Sequence, residues 1–180
     1  MKNIASQLIL VENSVSTIQG KNSFSLKHIS FFIFLFLFGT QLNAQNLVLK
    51  DGLYYASNGS LYSGTYNSYG QNGSKLASIT LMDGKKNGPA TYYYENGNIK
   101  EMGVFLNNEK NEQWLHWDEA GNKIAEAFYV EGKKNGTWMI WDAKGTKRYE
   151  MYYSMDKKIG KWSMWNENGQ LTSEKLYNNI

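Results

Sequence analysis

From Gly64 onward, aromatic and aliphatic positions return in short clusters separated by Gly, Asn, Asp and Lys, and the clusters keep a constant spacing of 24 residues. The two clearest copies read GTWMIWDAKGTKRYEMYYSMDKKI from Gly136 and GKWSMWNENGQLTSEKLYNNI from Gly160. Stepping back by the same interval lands on Glu112, Gly88 and Gly64, so five copies share one register without insertions. A second glycine follows nine residues after each start, at Gly73, Gly97, Gly121, Gly145 and Gly169. The third residue of each copy is Tyr66, Ala90, Trp114, Trp138 or Trp162, and the sixth is Tyr69, Tyr93, Trp117, Trp141 or Trp165. Such aromatic clusters predict a short strand. Asn72-Gly73, Asn96-Gly97 and Asn168-Gly169 then predict two-residue hairpin loops, varied as Ala120-Gly121 and Lys144-Gly145 in the other copies. A second strand is expected from about the twelfth to the eighteenth residue, closing on Leu81, Phe105, Tyr129, Tyr153 and Tyr177, before a turn such as Asp83-Gly84 or Glu131-Gly132 and a lysine-rich link.

One repeat therefore reads as one β-hairpin, and the chain as an all-β, elongated antiparallel β-meander of tandem 24-residue hairpins. Equivalent residues of successive copies should lie about 10 Å apart, two strand spacings, so that five copies span roughly 50 Å. The copies are 64–87, 88–111, 112–135, 136–159 and 160–180; residues 45–63 form an N-terminal cap with a partial repeat that lacks about ten residues of its second strand. Residues three apart in an unbroken strand face opposite ways. Both faces should then carry aromatics, Trp138 sharing its side with Tyr92, His116, Ile140 and Met164, and Trp141 sharing the other with Leu115 and Met139.

Composition agrees with strands and tight turns: 15% of residues are aromatic and Pro89 is the only proline. The formal charge is +3, but residues 1–44 hold three lysines against one glutamate, which leaves about +1 on the remainder and no electrostatic case for nucleic acid. Ile29 to Phe38, ISFFIFLFLF, follows Lys21, Lys27 and His28 and is itself followed by GTQLNAQ. This is the pattern of a signal peptide with a long n-region, cleaved after Ala44, and it is short for a membrane-spanning helix; a membrane anchor is the competing reading. A periplasmic or secreted location is expected. With no cysteine, a lipobox, disulfides and thiolate metal sites are excluded.

Catalytic chemistry lacks its usual parts. Residues 45–180 hold one histidine, His116, set between Trp114 and Trp117, and Glu126, Glu150 and Glu174 occupy one repeat column, as structural residues do. No enzyme, cofactor or metal group is expected. Lys85, Lys86, Lys110, Lys133, Lys134, Lys157 and Lys158 gather at the inter-repeat turns, while Glu95, Asp118, Glu119, Asp142 and Glu167 gather at the opposite strand ends. Solvated turns explain this order, and so does a basic edge for anionic partners. The aromatic columns likewise fit sheet stabilisation or a platform for sugar rings and apolar side chains. The candidate binding surface is Trp114, Trp117, Trp138, Trp141, Trp162 and Trp165 with Lys85, Lys86, Lys133, Lys134, Lys157 and Lys158.

A glycine, two aromatics three apart, an Asn-Gly turn, a hydrophobic strand and then DGKKNG (Asp83 to Gly88) or EGKKNG (Glu131 to Gly136) resembles the MORN repeat, and more closely the bacterial MORN-variant repeat of YwqK-type antitoxins. The resemblance covers about two-thirds of the chain and implies a twisted antiparallel sheet without catalysis. It further implies protein scaffolding, phospholipid binding or neutralisation of a toxin. Departures are Glu112 at a starting glycine, Pro89 and Ala90 around a first aromatic, and Asn108 and Asp156 at turn glycines. The expected partner is another protein, with a glycan or anionic lipid of the cell envelope as the alternative.

Overall fold

A computed structural model describes residues 46–178; the leader and cleavage site expected within 1–44 lie outside the described residues. The described elements are β1 (Val48–Lys50), β2 (Leu53–Tyr55), β3 (Gly64–Tyr69), β4 (Lys75–Met82), β5 (Lys85–Tyr93), β6 (Ile99–Leu106), β7 (Glu109–Trp117), β8 (Lys123–Val130), β9 (Lys133–Lys134), β10 (Gly136–Trp141), β11 (Lys147–Ser154), β12 (Lys157–Trp165) and β13 (Leu171–Tyr177). No helix occurs among the described residues. Strands β3 to β13 form one antiparallel sheet in chain order, open at β3 and β13, with β9 and β10 both lying along β8. Each repeat is one hairpin of this meander, as its alternating pattern predicts.

The turn chemistry is the reverse of the expected one. At the Asn-Gly end, Gly97 N–H donates to the Tyr94 carbonyl and Tyr94 N–H to the Asn98 carbonyl, and the same pair of bonds recurs at 70–74, 118–122, 142–146 and 166–170. In these loops only the glycine has positive φ, for instance 88° at Gly97. They are three-residue loops, a type I turn followed by a glycine bulge, and not two-residue loops. Asx side chains lock them: Asp118 Oδ1 accepts from Asn122 N–H, and Asn166 Oδ1 from Asn168 and Gln170 N–H. The two-residue loops stand at the other end, where both central residues have positive φ at Asp83-Gly84, Asn107-Asn108, Glu131-Gly132 and Met155-Asp156. So short a turn leaves no link. The lysine-rich segment is strand, with Leu81 opposite Lys86 and Met82 opposite Lys85.

At each repeat start the register slips. Asn87 to Pro89 lie opposite Thr80 alone, Glu112 to Trp114 opposite Gly103, and Gly160 to Trp162 opposite Met151. Two surplus residues make a bulge that needs left-handed backbone, and φ is 119° at Gly88, 74° at Gly136 and 63° at Gly160. Glu112 keeps that geometry with φ 60°, against the steric preference of an L side chain.

The described N-terminal segment folds onto this sheet. A loop at 56–60 has the same bonds as the hairpin loops, and Leu61 bridges back to Tyr55, so the cap is a hairpin with its second strand cut to a stub. Tyr54 N–H donates to the Gly84 carbonyl, Gly84 N–H to the Tyr62 carbonyl, and the Tyr54 ring meets Tyr66 at 5.5 Å. Tyr54 and Leu47 pack on the buried cluster of Ala77, Ile79, Leu81, Ala90, Phe105, Trp114 and Ala127. Strand β1, not expected from the sequence, pairs with β2.

The strained bulge generates a prediction. Glu112→Gly should raise stability by about 1 kcal/mol, because glycine adopts this φ without a Cβ clash. A higher urea midpoint at unchanged slope would show it; a lower midpoint would mean that the Glu112 side chain contributes more than its backbone costs.

Candidate functional site

Alternation along the strands, together with the contacts made, sorts the aromatic columns onto two faces. On the first, third-position indoles interleave with the rings that close the second strands. Phe105 meets Trp114 at 4.9 Å, and Tyr129, Trp138, Tyr153, Trp162 and Tyr177 follow one another at 5.1, 5.4, 5.1 and 4.9 Å between centroids. Each indole N–H donates to the carbonyl ten residues earlier, beside the bulge: Trp114 to Val104 at 3.1 Å, Trp138 to Phe128 and Trp162 to Tyr152 at 3.0 Å. The bulge thus sets the ring over the preceding strand. Lysines close the ladder from above. Lys110 lies 4.0 Å from the Trp114 ring centroid, Lys134 4.6 Å from Trp138, Lys158 4.6 Å from Trp162 and Lys86 4.8 Å from Phe105.

This settles where the candidate surface residues stand. Trp114 is wholly buried and gives a partner nothing to touch. Trp138 and Trp162 are half-buried in the ladder. Lys86, Lys134 and Lys158 lie over ladder rings, Lys158 remaining exposed at the array's end, whereas Lys85, Lys133 and Lys157 are exposed and lie over no ring among the described residues. Alternation explains the split, since neighbours in a strand point to opposite faces.

On the opposite face, Trp117, Trp141 and Trp165 are half-buried and do not stack on one another. A lysine from the preceding copy leans on most rings of this column: Lys75 lies 5.5 Å from the Tyr93 centroid, Lys123 4.4 Å from Trp141 and Lys147 4.3 Å from Trp165. The glutamate column holds Lys123 and Lys147. Glu126 accepts from Lys123 at 3.1 Å and from Gln113 at 2.7 Å, and Glu150 from Lys147 at 2.6 Å and from the Tyr152 hydroxyl. Glu174 accepts from Lys161 at 2.6 Å and from Ser163 at 3.2 Å. Hydrogen bonds from Lys147 and Tyr152 hold the Glu150 carboxyl below its ordinary range, and the Lys161 bond does so for Glu174. Each carboxylate is thereby committed to a structural cation. Sequence reasoning missed Lys123 and Lys147, whose signal was a lysine three residues before Glu126 and Glu150.

One polar cluster interrupts the ladder face. Glu101 bonds Lys110 and stands 3.6 Å from His116 Nε2. Burial pushes the His116 pKa down, Glu101 pulls it up, and Lys110 lowers it further, for a net fall from 6.5. Burial and the Glu101 charge raise Tyr129, and the same two influences with Tyr54 take Tyr92 to about 12. Among the described residues no group of three or more His, Cys, Asp or Glu could hold a metal ion.

The ladder and its paired charges define a protein of stacked hairpin repeats whose outer groups are offered to solvent along both faces. Residues 86–107 and 158–179 match the family model described as the MORN repeat variant. These two segments lie three periods apart, and each begins at a ladder lysine. No curated protein matches the chain.

Two outcomes test this geometry. A Cβ on Gly103 would run into the Trp114 indole, so Gly103→Ala should destabilise by about 1–3 kcal/mol. Most of that loss should vanish when Trp114→Phe is present, a coupling read from a double-mutant cycle. His116 has a depressed pKa in the fold, so its contribution is complete above its unfolded pKa and is lost as pH falls through the lower folded value. Melting temperature should therefore drop from pH 7.5 to pH 5, and His116→Gln should flatten that part of the profile; an equal drop in both proteins would refute the assignment.

Proposed function

We propose that this chain is a non-catalytic interaction module that binds another protein through the open surface of its repeat sheet. The carrying observation is that apolar side chains stay open on both faces of a sheet whose interior is already satisfied by the ladder. On the ladder face Tyr149 pairs with Ile140 and Met164, and Tyr149 and Met164 are exposed; on the other face Ile99 and Met102 are exposed. A row of apolar groups on a protein with structurally committed charges is the signature of a docking surface. The MORN-variant matches support the same reading, because that repeat is generally an interaction module.

The apolar leader segment supports an exported chain that meets its partner in the periplasm or outside the cell. An antitoxin-like or immunity role is one form of this proposal and would show as rescue on co-expression with the cognate toxin. Anionic lipid is the second reading, favoured by the exposed Lys85, Lys133 and Lys157 at one end of the strands. Stacked glycan draws less support, since lysines already lie over Tyr93, Trp141 and Trp165.

Pull-down with the full chain from a cell-envelope extract separates these readings. One protein should be retained in near-equimolar amount and lost with heat-denatured bait. Recovery of nothing above background, together with binding to anionic but not neutral vesicles that disappears on Lys85→Glu/Lys133→Glu/Lys157→Glu, would replace the protein reading with the lipid one.

A further inference from the structure

The Lys–Glu arrangement beside the opposite-face rings is broken at one place, and both of its members change together. Ile99 occupies beside Trp117 the position that Lys123 and Lys147 occupy beside Trp141 and Trp165. Met102 occupies the position of Glu126 and Glu150. Loss of only one member would leave an unpaired charge, whereas loss of both leaves a window without charge. Ile99 is 37% and Met102 38% exposed. Across the strands Ile99 pairs with Tyr93, and Met102 with Leu115, so the window is continuous over β5, β6 and β7 and ends on Trp117.

Its border is cationic on one side. Lys75 leans on Tyr93, the cross-strand neighbour of Ile99, but the matching glutamate position of its own copy is Ser78. Among the described residues Lys75 has no ion pair, in contrast to Lys110, Lys123, Lys147 and Lys161. On the far side, Lys123 and Glu126 neutralise each other. The patch is therefore apolar at its centre and positive along one border.

We infer that the window formed by Tyr93, Ile99, Met102, Leu115 and Trp117 receives an extended protein segment that seats a large apolar side chain there and sets a carboxylate against Lys75. This rests on the protein-binding reading and gives it a place and a chemistry. Lys75 and Ile99 hold equivalent positions of adjacent repeats, about 10 Å apart, which an extended segment covers in about three residues. Because an extended segment turns only alternate residues to one face, the partner's apolar residue and its Asp or Glu are separated by two or four positions, the side chains taking up the difference. The apolar contact supplies affinity, and the charge fixes orientation.

The test is a double substitution, Ile99→Lys/Met102→Glu, which writes into this copy the pair that the next two copies already carry and so leaves the fold supported. The full chain is used to select from a random peptide display library, and the consensus peptide is then measured by fluorescence polarisation. Selected peptides should combine a large apolar residue with an acidic one two or four positions away. The double variant should bind the consensus about tenfold more weakly while melting no lower than the parent. Lys75→Glu should weaken the same peptide and relax the acidic preference. Equal binding by the double variant, enrichment without the acidic residue, or no enrichment over bare support would each overturn the assignment. The envelope pull-down separates the two readings: a partner retained equally by parent and double variant refutes this window alone, whereas a parent that retains none refutes protein binding itself.

Discussion

A sheet one layer thick has no second layer to pack against, and the side-by-side stacking of rings along one face is what replaces it. The last three junctions between repeats are each held by a tyrosine or phenylalanine from one copy against an indole from the next, and the first by Leu81 and Ala90 in the buried cluster. Cross-strand pairs of this type contribute about 0.2–1 kcal/mol each, and ring pairs add about 0.5–1.5 kcal/mol beyond their buried area. The contribution is modest per junction but recurs along the array, so stability accrues by nearest-neighbour coupling, as in other solenoids. The lysine over each junction adds cation–π attraction while its aliphatic stem screens the ring edge from water.

The ladder in turn depends on the bulge at each repeat start. Without two surplus residues opposite Thr80, Gly103 or Met151, the third-position indole would not reach the carbonyl ten residues back. The same bulge aligns the next two-residue turn on the preceding copy: Asn108 N–H donates to the Lys86 carbonyl, Gly132 to Lys110 and Asp156 to Lys134. Asn111 and Asn135 add side-chain acceptors for Glu131 and Met155 N–H. The Lys-Lys-Asn-Gly run therefore has a division of labour. One lysine is solvated, the next covers a ring, asparagine caps a turn and glycine takes the left-handed backbone.

Much of this was legible in the chain itself. The period, the hairpin unit, the placement of Trp138 and Trp141 on different faces and the structural nature of the glutamate column all followed from spacing and alternation. Turn type did not. Asn-Gly satisfies a two-residue loop and a type I turn with a glycine bulge equally well, and the choice lies in backbone hydrogen bonds such as Gly97 to Tyr94. An unrecognised signal was the Asp or Asn at the first loop position, Asp118, Asp142 and Asn166, which caps the longer loop. Lysine engagement was equally hidden, because composition counts charges without showing that alternate lysines point inward. The burial of Trp114 comes from the small residues opposite it, Gly103 and Ala127, which only the register brings together.

Departures from the repeat are informative when they are asked what compensates them. Ala90 stands where other copies carry an aromatic, and Tyr54 of the cap packs on the cluster that contains it, so the ring removed from the array is replaced by one from outside. Glu112 departs in side chain but keeps the backbone of the glycine it replaces, and the bulge survives. Ser78 removes a carboxylate and leaves Lys75 held by Tyr93 alone. Ile99 and Met102 differ in kind: nothing within the described residues covers the apolar surface they create, although the neighbouring copies show that a self-contained charge pair fits the same backbone. A substitution compensated inside the fold is explained by the fold, and one left exposed in place of an available internal solution points to a contact outside it.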